Sequence, residues 1–530
     1  MSLPPASTRV MNLARFVTQA RRRDPDGIAL AWGERTWSWA EFDARIDAMA
    51  AALQSRFDVA KGERVLVQSQ NCNQMLEAMF AIFRIGAVYV PTNFRQTPEE
   101  VAYLARAAGA RGMICGTAFP EHAAACAHLN FAIAIGEAPF GPSYDALVEA
   151  FAGAAPEAPP VHRDDPCWFF FTSGTTGRPK ASVLTHGQMA FVVNNHLADL
   201  MPGLTPDDAS LVVAPLSHGA GVHQLTQVAR GVKTVLMPGE KLDPAIAWEL
   251  IERWRISTIF TVPTILKLLV EHEAAGRFDH SSLRYVIYAG APMYREDQKR
   301  ALRTLGPVLV QYFGLGEVTG AITVLPARLH SAEDGEGARI GTCGHARTGI
   351  EIQIQREDGS ECPPFETGEI CAIGPAVFAG YWDNPEANAK AFRDGWFRTG
   401  DMGHVDEEGF LYITGRASDM YISGGSNVYP REIEEKILAH PAILECAVLG
   451  MPDPLWGEVG IAVCVPRDGA TVGEEDLAAF LDGKLSRYKI PRRFVFWQAL
   501  PKSAYGKITK ALVREELGRQ GALSPERRTA

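Results

Sequence analysis

Short apolar runs rich in Val, Ile and Phe alternate with helix-period segments through the first half of the chain, and nothing else in the sequence restricts the fold as much. Strands buried on both faces read as near-continuous apolar runs, and parallel neighbours need a crossover between them, usually a helix. Residues 64–69 read as a strand, 74–85 (QMLEAMFAIFRI) as a helix and 87–91 as the next strand. Strands at 210–214, 233–237, 257–262 and 283–289 and a helix at 243–254 continue the pattern. The alternation predicts an α/β fold, a large N-terminal domain with doubly wound sheets. Between 349 and 373 the pattern becomes IEIQIQ and GEICAI around a turn-rich segment, which predicts a small antiparallel, β-barrel-like subdomain. The last hundred or so residues mix IEEKILAH, ECAVLGM, IAVCVP and DLAAFLDGKL, as in a compact α+β domain. The Ala/Pro-rich stretch 152–160 reads as a surface connection.

A chain of 530 residues with 47% apolar content is too long for one core and too apolar for disorder. Its net charge of -10 argues against a polyanion-coating role, so no nucleic-acid partner is expected. Acidic and basic residues balance from Asp419 onward, leaving the excess negative charge in the first part. The nine cysteines form no disulfide framework and no paired C-x-x-C metal spacing, and read as reduced, buried thiols. The N-terminus has no secretory core, and no run of about 18 apolar residues occurs. A cytoplasmic protein without a membrane span, monomeric or homodimeric, is the expectation.

The most informative stretch runs from Cys167 to Lys180. A buried-strand pattern, CWFFF, opens into Thr172, Ser173, Gly174, Thr175, Thr176 and Gly177, and Lys180 follows. Hydroxyls and close-approaching glycine backbone donate hydrogen bonds, and an ammonium adds a point charge, which together suit a phosphate cradle. It is not a Walker loop, because Pro179 and Ala181 break that pattern.

With this string the sequence resembles the adenylate-forming superfamily of acyl-CoA synthetases, adenylation domains and luciferases. Tyr312-Phe313-Gly314-Leu315-Gly316-Glu317, the run from Trp396 to Asp401, Gly415-Arg416, the run from Gly424 to Pro430, and the run from Pro501 to Ile508 follow in the family's order over nearly the whole chain. The resemblance implies ATP-dependent activation of a small-molecule carboxylic acid to an acyl-adenylate, then thioester formation with CoA. Thr172, Ser173, Thr175, Thr176 and Lys180 would hold the β- and γ-phosphates, and Glu317 the Mg2+. Asp401 would accept the ribose hydroxyls and Arg416 would contact ribose or phosphate. Phe313 would stack on adenine opposite Gly290, Ala291 and Pro292. His218 would lie beside the acyl carboxylate. Lys507 would bridge carboxylate and α-phosphate. Residues 1–417 would form the AMP-binding domain and 418–530 a mobile domain turning about Ser418, which would bring Gly425 to a pantetheine channel.

Three positions depart from the common pattern: Gly316 replaces a Thr, Ser418 an Asp or Lys, and Ala181 a Gly, the last tolerable only at negative φ. A stand-alone ligase that loads an acyl carrier protein shares the tunnel, and a basic group of Lys484, Arg487, Lys489, Arg492 and Arg493 suits CoA's 3'-phosphate, an acidic carrier or simply solvent. A nucleotide-binding regulator that has lost turnover is the non-enzymatic alternative, against which the intact Lys507 argues.

Overall fold

A computed structural model describes residues 8–172, 178–239, 241–291, 293–335, 338–416, 418–423, 426–502 and 508–521. One sheet holds six strands in the order Lys180–Thr185, Pro166–Thr172, Val88–Thr92, Arg64–Gln68, Gly112–Gly116 and Phe131–Ile135. All neighbours are parallel except the Lys180–Thr185 edge. A second sheet of nine strands sets Leu309–Phe313, Tyr285–Tyr288, Thr258–Thr261, Ala209–Val212, Lys233–Leu236 and Ile28–Trp32 side by side in parallel, with antiparallel strands at both edges. The strands and helices expected from apolar periodicity fall within two residues of those observed; 74–85 is Asn73–Arg84 and 243–254 is Pro244–Trp254.

Each sheet is covered on both faces, as parallel strands require. One continuous core joins Val65, Tyr89 and Trp168 of the first sheet to Leu30, Val212 and Leu236 of the second through the helices Trp39–Ser55, Asn73–Arg84, His186–Asp199 and Gly219–Arg230. The outer faces are closed by Pro98–Ala108 on one sheet and by Pro244–Trp254 and Arg295–Leu305 on the other. Local signals agree with this packing. Ser38–Glu41, Thr97–Glu100 and Thr185–Gln188 form capping boxes that satisfy the first free N–H groups of three of these helices.

Glu351–Gln355, Gly368–Ile373, Phe392–Arg393, Trp396–Val405 and Leu411–Arg416 build the small antiparallel sheet. Beyond it, Tyr421–Ser423, Ser426–Val428, Ile443–Asp453, Gly457–Pro466 and Arg493–Phe496 form a separate five-stranded sheet. Its two cores contain only residues that follow Met420. All nine cysteines are free and buried. Among the described residues no helix is long and apolar enough to cross a membrane.

Candidate active site

Thr172, Phe313 and Gly290 follow or end strands at the carboxyl edges of the two parallel sheets, where open α/β sheets bind ligands. Lys180 lies directly opposite Thr172 in the antiparallel pair, so the two ends of the phosphate motif are locked in register. Ser173, Gly174, Thr175, Thr176 and Gly177 lie outside the described residues, as do Pro292, Gly425 and Lys507. Ala181 continues the strand opposite Phe171 and is not among the residues with positive φ, which meets the condition set by its missing glycine.

Glu317 sits on the short turn Gly316–Val318 after the Leu309–Phe313 strand and is 4% exposed. Its Oε1 accepts hydrogen bonds from the Thr172 hydroxyl at 2.7 Å and the Tyr381 hydroxyl at 3.0 Å. Its Oε2 is buried with no hydrogen-bond partner among the described residues. An acceptor left like this carries the full desolvation cost of the group unless a ligand meets it. A hard, oxygen-preferring cation shared with phosphates suits one such oxygen, and among the described residues no cluster of three or more His, Cys, Asp or Glu offers a protein-only cage. The residues present therefore fit Mg2+.

Tyr381 is the part of this corner that the motifs did not reveal. Its backbone is clamped by Asn388, which accepts from Tyr381 N at 2.6 Å and donates to its carbonyl at 3.0 Å. Its ring lies 5.1 Å from the Lys180 ammonium, so one side chain touches both Lys180 and the Glu317 carboxylate. Burial, reinforced by the Glu317 charge, pushes the phenol well above its ordinary pKa and keeps it a donor. Only its distant place in the sequence, in AGYWDNPEA, hid it.

The Gly316 departure has a steric origin. A Cβ there would stand 2.6 Å from the Phe170 ring and 2.8 Å from the Thr172 methyl. Gly314 is equally confined, because its Cβ would meet the Gly320 backbone at 2.4 Å. Phe313 ends its strand with a half-buried face, whereas Tyr312 turns into a buried cluster with Ile287 and Ala289.

Asp401 and Arg416 face each other across two antiparallel strands, and Arg416 Nε donates to Asp401 Oδ1 at 3.1 Å. The carboxylate is 6% exposed while the arginine side chain is half exposed, which leaves the pair reachable from one side. In the basic group after residue 480, Lys489 pairs with Glu432 at 2.6 Å and Lys484 stacks over Phe480.

His218 caps the helix Gly219–Arg230, with its ring edge-on to Phe170 at 5.2 Å and its Nδ1 3.1 Å from the Ser217 hydroxyl. Beyond it Phe260, Tyr312 and His223 lie nearly parallel: Phe260 and Tyr312 are 6.0 Å apart at 13°, and His223 and Phe260 4.3 Å apart at 17°. Gly219 admits this stack, since a Cβ would stand 2.7 Å from the Phe260 ring. His196 packs on His223 at 4.6 Å, and the Arg347 guanidinium lies 5.9 Å from the Tyr312 ring centre. Burial, with the Arg347 charge adding to it, pushes His223 down to about 3 and His196 well below the ordinary imidazole value. Burial also lowers Arg347, to about 10, against the opposing pull of Asp199.

Residues 16–382 match the AMP-binding enzyme family model and residues 432–507 the AMP-binding enzyme C-terminal domain model. The chain is 36% identical over 518 residues to a feruloyl-CoA synthase of Amycolatopsis, covering 96% of this chain and 100% of that one. It is 34% identical over 519 residues to an indoleacetate–CoA ligase of Aromatoleum aromaticum, covering 96% and 99%. Among solved structures, o-succinylbenzoate CoA synthetase of Bacillus subtilis with its acyl-adenylate intermediate aligns at a TM-score of 0.84 and 29% identity, over 96% of this chain and 99% of that one.

Proposed function

The chain belongs to the AMP-binding enzyme family, and on that premise we propose that residues 1–417 form its adenylating body and residues 418–530 a mobile domain that brings Lys507 to the reaction. It is an ATP-dependent acid–CoA ligase, which makes an acyl-adenylate and pyrophosphate and then acyl-CoA and AMP. ATP, Mg2+ and CoA are its co-substrates and cofactor.

A carboxylate is a poor acylating agent because its oxygen leaves badly, and adenylation replaces that oxygen with AMP. In the proposed division of labour, the motif from Thr172 to Lys180, Ser173, Gly174, Thr175, Thr176 and Gly177 included, binds the β- and γ-phosphates. Phe313, with Gly290, Ala291 and Pro292, holds adenine. Asp401 and Arg416 hold the ribose. Glu317 would hold Mg2+, which when bound offsets phosphate charge. Thr172 and Tyr381 orient Glu317 by occupying one of its two oxygens. His218 borders the acid, and Lys507 stabilises the charge that develops as the acid's oxygen meets the α-phosphate. Turning of the C-terminal domain then brings Gly425 to the thiol path.

The single observation that carries the assignment is Glu317 Oε2, buried and without a hydrogen-bond partner among the described residues, beside the strand that enters the phosphate motif. In this reading the acid is aromatic, as in the relatives named for ferulate and indoleacetate, and the flat faces of Phe260 and Tyr312 beyond His218 suit a ring. The enzyme works in the cytoplasm.

Acid-dependent exchange of pyrophosphate into ATP tests the first half-reaction; no exchange with any acid would overturn the reading. Lys507→Ala is expected to suppress that exchange yet keep thioester formation from supplied acyl-adenylate, and equal loss in both steps would remove Lys507 from its role. Turnover with carrier protein but none with free CoA would replace the acceptor.

A further inference from the structure

Behind the aromatic stack lies a group of buried polar atoms that the proposed chemistry does not use. Arg347 is 1% exposed, and its Nε and both terminal nitrogens have no hydrogen-bond partner among the described residues. Nε2 of His196 and both ring nitrogens of His223 are in the same state. The nearest anion is Asp199, whose Oδ2 stands 3.8 Å from Arg347 Nε. That carboxylate is already committed, accepting from Asn195 Nδ2 at 3.0 Å, Thr348 N at 2.8 Å and the Thr348 hydroxyl at 2.8 Å. A guanidinium offers five donors, and a buried one without acceptors is costly.

The place of this group in the fold ties it to the acid site. His223 is five residues beyond His218, so about 7.5 Å along the same helix at the usual rise. Gly219, the residue after His218, faces the Phe260 ring, and its Cβ position is 3.6 Å from the Tyr312 hydroxyl. Tyr312 in turn lies over Arg347 and beside His223. A continuous row therefore runs from His218 through an aromatic wall to a cluster of donors.

We propose that Arg347, His223, His196 and the Tyr312 hydroxyl form the far end of the acid site and select an aromatic acid that bears an oxygen acceptor at the end remote from its carboxylate. The proposal rests on the ligase reading and names its substrate class more narrowly. An apolar far end would leave the donors unmet in the complex as well, whereas a carboxylate or ether oxygen would satisfy them; sites built to pair a polar group discriminate strongly against analogues that lack it.

The test compares cinnamate, 4-methoxycinnamate and 4-carboxycinnamate as substrates for pyrophosphate release by the whole enzyme. For the wild type, kcat/KM is expected to be at least about tenfold higher for one of the two oxygen-bearing acids than for cinnamate. The larger gain identifies the acceptor as neutral or anionic. In Arg347→Met that ratio should collapse to within about twofold. Ratios are measured within one preparation, so a loss of folded protein cancels, and wild type alone decides should the variant fail to fold. Turnover of cinnamate without any gain for the other two overturns the assignment and leaves the ligase reading intact. A ratio unchanged in Arg347→Met also overturns it. No pyrophosphate release with these or any other acids overturns the ligase reading and this proposal with it.

Discussion

Two corners of the molecule hold buried polar atoms without hydrogen-bond partners among the described residues, and they differ in sign. At the Glu317 corner the unmet atom is an acceptor, Oε2, on a carboxylate whose Oε1 is held by hydroxyls from Thr172 and Tyr381. Behind the aromatic wall the unmet atoms are mainly donors, on Arg347, with the amphoteric imidazoles of His196 and His223 beside them. Because an unsatisfied buried group costs free energy, the two corners suit partners of opposite kind, a cation at the first and, as proposed above, an oxygen acceptor at the second. The first corner is also tightly built, with no room for a Cβ at Gly316, whereas the second is a stack of flat rings.

The sharpest way to break the contrast is Glu317→Gln, which keeps the shape and removes the charge. Acid-dependent pyrophosphate release should fall by roughly 10² to 10³, the scale of losing one preorganised electrostatic group. A loss of threefold or less would mean that the corner does not bind the cation. Tyr381→Phe keeps the ring over Lys180 and deletes only the hydroxyl to Glu317. One charge-assisted hydrogen bond predicts a rise of about tenfold in the Mg2+ concentration for half-maximal rate, with the KM for acid unmoved. A shift in the acid's KM alone would contradict the positioning role. Gly316→Thr, which installs the family's common residue, should cost about 1 to 3 kcal/mol in urea unfolding by overpacking against Phe170 and Thr172, and the added change Phe170→Ala should recover part of it.

The smallest effect belongs to the second corner and is read through pH. His223 is held neutral in the fold, its pKa lowered to about 3, so protonation favours the unfolded chain. Its contribution is fully present above the unfolded value of about 6.5 and is lost as the pH falls toward the folded one. His223→Leu should therefore flatten the decline of unfolding free energy between about pH 6 and pH 4, by at most about 1.4 kcal/mol per pH unit. An unchanged slope would show that His223 does not titrate on unfolding in this range.

Which of these features could be read along the chain follows from how local they are. The strands at 64–69 and 283–289 and the helix at 243–254 announce themselves by apolar period, and the observed elements agree within two residues. Asp401 and Arg416 were expected at the ribose as separate motif members, and the fold shows them opposed across one strand pair. Tyr381 escaped because its partners Thr172 and Glu317 are supplied by distant segments and nothing beside it in sequence marks it. Arg347 escaped for a related reason: an arginine after a short strand reads as a surface residue, and only packing reveals that it is enclosed.

Sequence alone determined the layered α/β plan and the membership of this chain among adenylate-forming enzymes, because apolar period and contiguous motifs act over a few residues. Tertiary structure alone decided which oxygen of Glu317 is without a hydrogen-bond partner among the described residues, that a Cβ at residue 316 would meet Phe170, and that His196, His223 and Arg347 meet behind Tyr312. Those facts depend on burial and on contacts between segments far apart in the chain, and desolvation, the force that gives them meaning, acts only once the segments have come together.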